Sequence, residues 1–444
     1  MNPSEGLQTA LNQIRETLVA DNKVYQEQIP LVEHYTSSQV YGQSLLALPS
    51  DLRNKFIQSL VNRIAYTKFQ MDYFENPLRE LANDELPLGA IGQDIYVNPA
   101  RGRVYNIDDF AGLLAKYESD VKVEYNELNF DVQYPVTIIR KELEKAFTSW
   151  GDFENFLMGI SQSLYNGAYI DMFRYTKNII SGAYKENRGV IQTISAVSSA
   201  DTAKAFVEKA RELYLNFQLP STEYNAWAKN GGAGRPIITW TRPEDIVMIV
   251  RNDIRAKLDV EVLASAFNID KTTLLGNIIT VDNFDAYDDD GTKVFNGSAI
   301  VGMIADKAWF KIKTQDMYME SFINPNNRTI QYYLNIIRMY NMSLFANGVI
   351  FATAQPSVAA TELKFIETAP EVTAGKSVVL HVESTPFTAN PTLSYSSSST
   401  SYATVGSETG KSITVTGVAA GTPTITVSDG THRATVTLKV NAAS

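Results

Sequence analysis

The residues best suited to acid–base or metal chemistry are three histidines, His34, His381 and His432, and they stand far apart in the sequence. No two share a short motif, and none falls in His-Glu-x-x-His or another zinc spacing. They read as solvated or structural side chains. Cysteine is absent, which removes disulfides, thiolate ligands and a thiol nucleophile. No Gly-x-Ser-x-Gly elbow is present. Lys229-Asn230-Gly231-Gly232-Ala233-Gly234-Arg235-Pro236 is Gly-rich, but no Gly-Lys-Ser/Thr follows, so it reads as a flexible surface loop rather than a phosphate cradle. Asp285 to Gly291 has the acidic content of a calcium loop. Placing Gly291 at the required glycine puts Ala286 at the first ligand and Gly297 at the last, so both ligands are missing. An acidic hairpin tip following a strand over 277–284 is the better reading, suited at most to an adventitious cation. In Tyr332 to Tyr340 the aromatics could stack on bases, but their apolar periodicity favours packing. No catalytic, cofactor-binding or metal-ligating residue emerges, and no cofactor is implied.

With no reaction centre to position, the elements themselves carry the reading. A length of 444 residues suggests two or three domains. The formal net charge of −10 argues against a protein that grips phosphate backbones. The first 30 residues contain no apolar signal core, and no stretch approaches the ~18 apolar residues of a membrane span. Synthesis and assembly in a cytoplasm are the expectation. Composition breaks near residue 355. All four Trp lie before it, as do 34 of 39 Lys+Arg and 43 of 49 Asp+Glu. Residues 354–361, Ala-Gln-Pro-Ser-Val-Ala-Ala-Thr, read as a linker. Beyond it, Val378, Leu380 and Val382 alternate with polar residues, as do Ile413 and Val415, Ile425 and Val427, and Ala434 to Val440. This is the period of half-buried antiparallel strands, with Asp429-Gly430 as a hairpin turn. It predicts a β-sandwich.

The preceding body mixes periods, so the chain is α+β. Leu52, Phe56, Leu60, Val61 and Ile64 share a helical face over 51–66, with Ser50 as N-cap. Residues 152–180 place Phe153, Phe156, Leu157, Ile160, Leu164, Ala168, Met172 and Ile179 on one stripe, which predicts a long spine helix. Further helices are expected over 202–217, started by Asp201, from Pro243 to Leu258, and on to Phe267. Strands 93–98 and 103–107 are expected to form a hairpin around Pro99 to Gly102. Residues 121–138 alternate, slip at Asn126-Glu127, and alternate again. Either one long bulged strand or two separate strands fits this pattern, and Pro135 fits only an edge or a bulge.

Several segments resemble the major capsid proteins of small podophages of the phi-twenty-nine type. The most specific are Ala146-Phe147-Thr148-Ser149-Trp150-Gly151-Asp152-Phe153-Glu154-Asn155-Phe156 and Leu258-Asp259-Val260-Glu261-Val262-Leu263-Ala264-Ser265-Ala266-Phe267-Asn268. Leu275-Gly276-Asn277 and Val281-Asp282-Asn283-Phe284 follow in family order. Shorter echoes are Leu60 to Ile64, Asn76-Pro77-Leu78, Leu86 to Gly89 and Asp306 to Phe310. The match runs collinearly, with gaps, from about residue 55 to 352. Ser401-Tyr402-Ala403-Thr404-Val405 and Thr416 to Thr422 resemble bacterial Ig-like domains of group 2 (BIG2).

The resemblance implies a Hong Kong ninety-seven-type capsid fold, divided as 1–354 shell domain, 355–361 linker and 362–444 Ig-like domain. Within the shell it implies an E-loop about 85–135, a spine helix about 152–184 and an A-domain about 190–305. It implies a head protein that self-assembles as pentamers and hexamers around double-stranded DNA. A scaffolding protein and a portal would be its assembly partners, and its destination would be the virion, with no membrane. The Ig-like domain would stabilise capsomers on the outer surface, or contact head fibres or host glycans. An Ig-bearing bacterial surface adhesin is the alternative, and a hydrolase finds no supporting motif.

Overall fold

The computed structural model describes residues 5–66, 74–82, 84–90, 92–106, 115–139, 145–232, 234–257, 278–288, 291–324, 326 and 329–443. They divide into two compact units, the first built from Met1–Gly92, Tyr125–Thr176 and Ile312–Tyr340. It opens with helices Glu5–Asp21, Val24–Gln28, Ser38–Ala47 and Ser50–Tyr66. Leu7, Leu11, Ile14 and Leu18 recur at helical spacing and are buried. Tyr25, Tyr41, Phe56, Trp150 and Phe153 form the aromatic centre of this region. Their polar tips reach backbone carbonyls where the packing allows: Trp150 Nε1 donates to Thr36 O at 2.8 Å and Tyr25 OH to Leu52 O at 2.7 Å.

A four-stranded sheet completes the unit in the order Asp84–Glu85, Phe310–Asn324, Thr329–Met342, Phe130–Ile139. The last is an edge strand, where Pro135 lies opposite Tyr333 in an unbroken antiparallel register. A proline costs least at such an edge. The expected 121–138 element is two strands, Val121–Asn126 and Phe130–Ile139, so the two-strand alternative holds. Residues 127–129 break the ladder, and Asn129 turns its side chain to the backbone of Tyr340, donating at 2.9 Å and accepting at 2.8 Å. The hairpin expected over 93–107 is corrected. Gly92–Val97 pairs with Val121–Asn126 instead, and 103–106 form no strand.

The spine helix runs from Trp150 to Lys185, 36 residues or about 54 Å at 1.5 Å per residue. Up to Thr176 it belongs to the first unit. There Tyr134 OH donates to Asp171 Oδ2 at 2.9 Å, and Phe130, Tyr175 and Tyr340 pack their rings together.

The second unit takes Gln93–Glu124, Lys177–Lys311 and Asn341–Ser444. Its body is a five-stranded sheet in the order Val190–Thr193, Gly348–Ala352, Ile300–Asp306, Ile246–Arg251, Ile278–Val281. Helix Ala200–Phe217 lays Phe206, Val207, Leu213 and Phe217 against Met248, Val250, Ile304 and Phe351. Its start is capped by Ser199, not Asp201: Ser199 and Thr202 make a reciprocal capping box.

The helix expected from Pro243 is also corrected. Pro243–Asp245 is a single 3₁₀ turn, and Ile246–Arg251 is a central strand, buried from Ile246 to Val250. Pro followed by acids signals a helix start, but five consecutive apolar residues with four β-branched members fit a strand covered on both faces. Only Asn252–Lys257 is helical there, and the expected continuation to Phe267 lies outside the described residues.

The C-terminal segment forms the expected sandwich. One sheet joins Glu362–Phe365, Ser377–Thr385, Ser412–Gly417 and Ala403–Thr409; another joins Ser394–Ser397, Thr424–Ser428 and Arg433–Thr437. Leu380, Val382, Ile413, Val415, Ile425, Val427 and Leu438 fill its own core. Among the described residues, no helix is long and apolar enough to cross a membrane.

Candidate assembly surface

The two-stranded ribbon of Gly92–Val97 and Val121–Asn126 has its alternation turned inside out. Ile95 and Val97 are 61% and 54% exposed, and Val121 and Tyr125 are 48% and 67% exposed. The polar members of the same strands, Glu124 and Asn126, are buried. A strand pair on a soluble surface normally points its apolar residues inward. Val104, Tyr105 and Tyr117, in the connection beyond the strands, are exposed as well. Exposed apolar side chains grouped in this way make a candidate surface for association.

The ribbon's inner, polar side fastens it within the second unit. Asn98 donates to Asp120 Oδ2 at 2.7 Å and to Pro236 O at 3.2 Å, and accepts from Ile238 N at 3.1 Å. Tyr96 OH donates to Ile238 O, and Arg235 donates to Pro99 O at 3.0 Å. Ion pairs Lys122–Asp120 at 3.0 Å and Lys311–Asp94 at 3.3 Å flank these bonds. The Asn98 amide, then the Lys122 ammonium, hold the Asp120 carboxyl below its ordinary range. Glu124 accepts from Leu344 N at 3.1 Å and Ser343 Oγ at 3.4 Å. Burial outweighs those bonds and pushes its carboxyl up to about 7. A cleft of ≈ 400 Å³ lies beside this root, lined among others by Asp94, Tyr96, Trp240, Asp306, Lys311 and Asn347.

The histidines and loops singled out in the sequence are engaged locally. His381 Nδ1 lies 2.7 Å from Glu367 Oε1, and His432 Nδ1 lies 3.1 Å from Asp429 Oδ2 within a hairpin turn. The ring of His34 meets Tyr35 edge-on. Asp285 pairs with Lys293 at 2.6 Å and accepts from Gly297 N at 2.8 Å, which closes the acidic hairpin. No cluster of three metal-ligating side chains occurs among the described residues. Tyr332, Leu334, Ile336, Met339 and Tyr340 are buried, so packing rather than base stacking holds for them. Sequence reading missed Glu124 and Asn98 as anchors. Glu124 sits at an ordinary polar position of the alternation Val121-Lys122-Val123-Glu124-Tyr125-Asn126 and Asn98 just past its strand, so the sequence carried no signal for either.

The family model of the Phi29-like phage major capsid protein matches residues 11–352. The chain belongs to that family. It is a structural protein of a bacteriophage virion, the major subunit of its capsid. The bacterial Ig-like domain (group 2) model matches residues 359–440 of this capsid protein. The major capsid protein of Bacillus phage B103 is 29% identical over 371 residues, covering 83% of this chain and 77% of the relative. That of Streptococcus phage Cp-1 is 27% identical over 348 residues, covering 76% of this chain and 92% of the relative. Among solved structures, the capsid of Staphylococcus phage Andhra aligns with TM-score 0.52 at 15% identity, over 65% of this chain and 87% of that one. This likeness is one of fold, and it agrees with the α+β capsid architecture. The capsid family displaces the adhesin alternative, because its match covers the body rather than the Ig-like end.

Proposed function

We propose that the ribbon of 92–97 and 121–126 is the part of the E-loop by which each subunit lies on its neighbours, closing pentamers and hexamers into a DNA-enclosing head. The observation that carries this is the inverted alternation, which leaves Ile95, Val97, Val121 and Tyr125 exposed in one chain. Obligate assemblies bury large apolar areas of this sort. The division into shell domain 1–354, linker 355–361 and Ig-like domain 362–444 is part of the same reading. So are the E-loop at about 85–135, the spine at 152–184 and the A-domain at 190–305. The protein acts by association and has no catalytic role. A scaffolding protein and a portal guide assembly, and the net charge of −10 keeps packaged DNA loosely held. The Ig-like domain faces outward, where it ties capsomers together or meets head fibres or host glycans.

Co-expression with the cognate scaffolding protein, viewed by electron microscopy, tests the ribbon. The wild type should give closed shells. The variant Ile95→Ser, Val97→Ser, Val121→Ser, Tyr125→Ser should stay folded by circular dichroism yet give none. Each buried side chain of this size contributes ~1.5–3 kcal/mol, so losing four raises the assembling concentration far more than about tenfold. Shells at wild-type yield from the variant would sink the proposal.

A further inference from the structure

We propose that the Ig-like domain is docked on the body of its own chain and is not a bead on a flexible tether. The body's half of the contact is a shelf made of two pieces. One is the end of the spine helix, where Asn187 adopts φ 54 and is buried. In that left-handed conformation it ends the helix as a glycine would, with Asn187 N and Arg188 N donating back to Tyr184 O and Ala183 O. The other piece is the Gly-rich segment that sequence alone leaves as a free loop. It is zipped to the helix end: Asn230 donates to Arg188 O at 2.8 Å, Arg188 Nε to Asn230 Oδ1 at 3.2 Å, and Lys229 Nζ to Gly189 O at 2.7 Å.

The Ig-like half is one loop, 385–390. Asn187 Nδ2 donates to Thr388 O at 2.8 Å. Phe387 sets its ring against Gly231, where a Cβ would sit 3.3 Å from the ring. Gly231 has φ +78, so both shelf residues are in the left-handed region for which glycine and asparagine are suited. Lys411 braces the loop from inside its own domain, donating to Phe387 O and Ser384 Oγ, each at 2.6 Å.

The linker is pinned from both sides. Tyr184 OH donates to Ala354 O at 2.9 Å and Gln355 Nε2 to Thr193 Oγ1 at 2.8 Å, on the body. Asn390 donates to Pro356 O at 2.7 Å and accepts from Val358 N at 2.8 Å, on the Ig-like side. A segment held at successive residues lacks the freedom of a Ser/Gly tether. Within the second unit, the end of the spine helix, the Gly-rich segment and the Ig-like domain are therefore joined, and the domain is positioned by its own subunit.

Elastase cleavage within 353–361 of the unassembled full-length chain reads this without any shell, so it stands apart from the assembly proposal. Asn187→Gly keeps the helix end and deletes only the amide; Phe387→Ala removes the ring from the other side. Each should speed cleavage about tenfold, because cutting tracks the open population, while the circular dichroism of both stays that of the wild type. Wild-type cleavage as fast as in both variants would overturn the docking. So would variants cut no faster than a slowly cleaved wild type.

Discussion

Glu124 joins the ribbon to the loop at 343–344, and its carboxyl is raised to about 7 chiefly by burial, with Lys311 opposing and Asp94 adding to the shift. In an unfolded chain it titrates near 4.5. Between those values the unfolded chain releases a proton that the folded one keeps, so stability falls as pH rises, and the loss is complete above about 7. Glu124→Gln mimics the protonated form. It should leave stability unchanged at pH 4.5 and raise it by about 1–3 kcal/mol at pH 8. Thermal melts of the unassembled protein across that range check this; equal melting temperatures at pH 8 would refute it. At this scale the sequence was least legible. Glu124 and Asn187 look ordinary in isolation, and only the fold shows one desolvated and the other in a left-handed turn.

Among the elements, the helix Ala200–Phe217 shows how local signals and tertiary packing divide the labour. Its apolar stripe was readable, because Phe206, Ala210, Leu213 and Phe217 follow the helical period and all enter the core. Its start was misread by two positions, since Asp201 and Ser199 are both good caps and only the observed bonds choose Ser199. Ser199→Ala should cost about 1 kcal/mol in denaturant unfolding. Asp201→Ala should cost a few tenths, as an exposed first-turn charge does; the reverse order would return the cap to Asp201. The strand Ile246–Arg251 was misread for a different reason. A buried apolar run has no period, so its state is decided by neighbours at 278–281 and 300–306, which are distant in sequence.

For the whole molecule, the break near residue 355 and the two-residue alternation after it made the Ig-like domain legible as an all-β unit, with the strands at 377–385, 412–417, 424–428 and 433–437 readable and those at 362–365, 371–373, 394–397 and 403–409 not. That alternation is read against a core the domain supplies itself, with Leu380, Ile413, Val415, Ile425 and Val427 fully buried among one another. Residues 356–444 expressed alone should therefore unfold in one cooperative transition, and a chain ending at 355 should keep its secondary structure. A non-cooperative melt of the isolated segment would show that the body completes its core. The body's architecture was less legible, since its sheets combine strands far apart in the chain: Asp84–Glu85 with Phe310–Asn324, and Phe130–Ile139 with Thr329–Met342. The assembly surface was legible only in part. Exposed apolar residues and core residues look alike in sequence until the burial of Glu124 and Asn126 shows which side of the ribbon faces in.

Pro135 bears on a hazard peculiar to a protein made in many identical copies. The edge strand Phe130–Ile139 keeps an unbroken ladder to one neighbour through Pro135, so the N–H that proline lacks is missing from the outer side. A free strand edge is a template on which identical chains can mispair into aggregates. One absent donor in mid-strand spoils that template at no cost to the native sheet, and crowded newly made subunits stay available for ordered growth. Pro135→Val should accordingly leave the melting temperature nearly unchanged and increase light scattering on refolding at high concentration; scattering equal to wild type would remove this role.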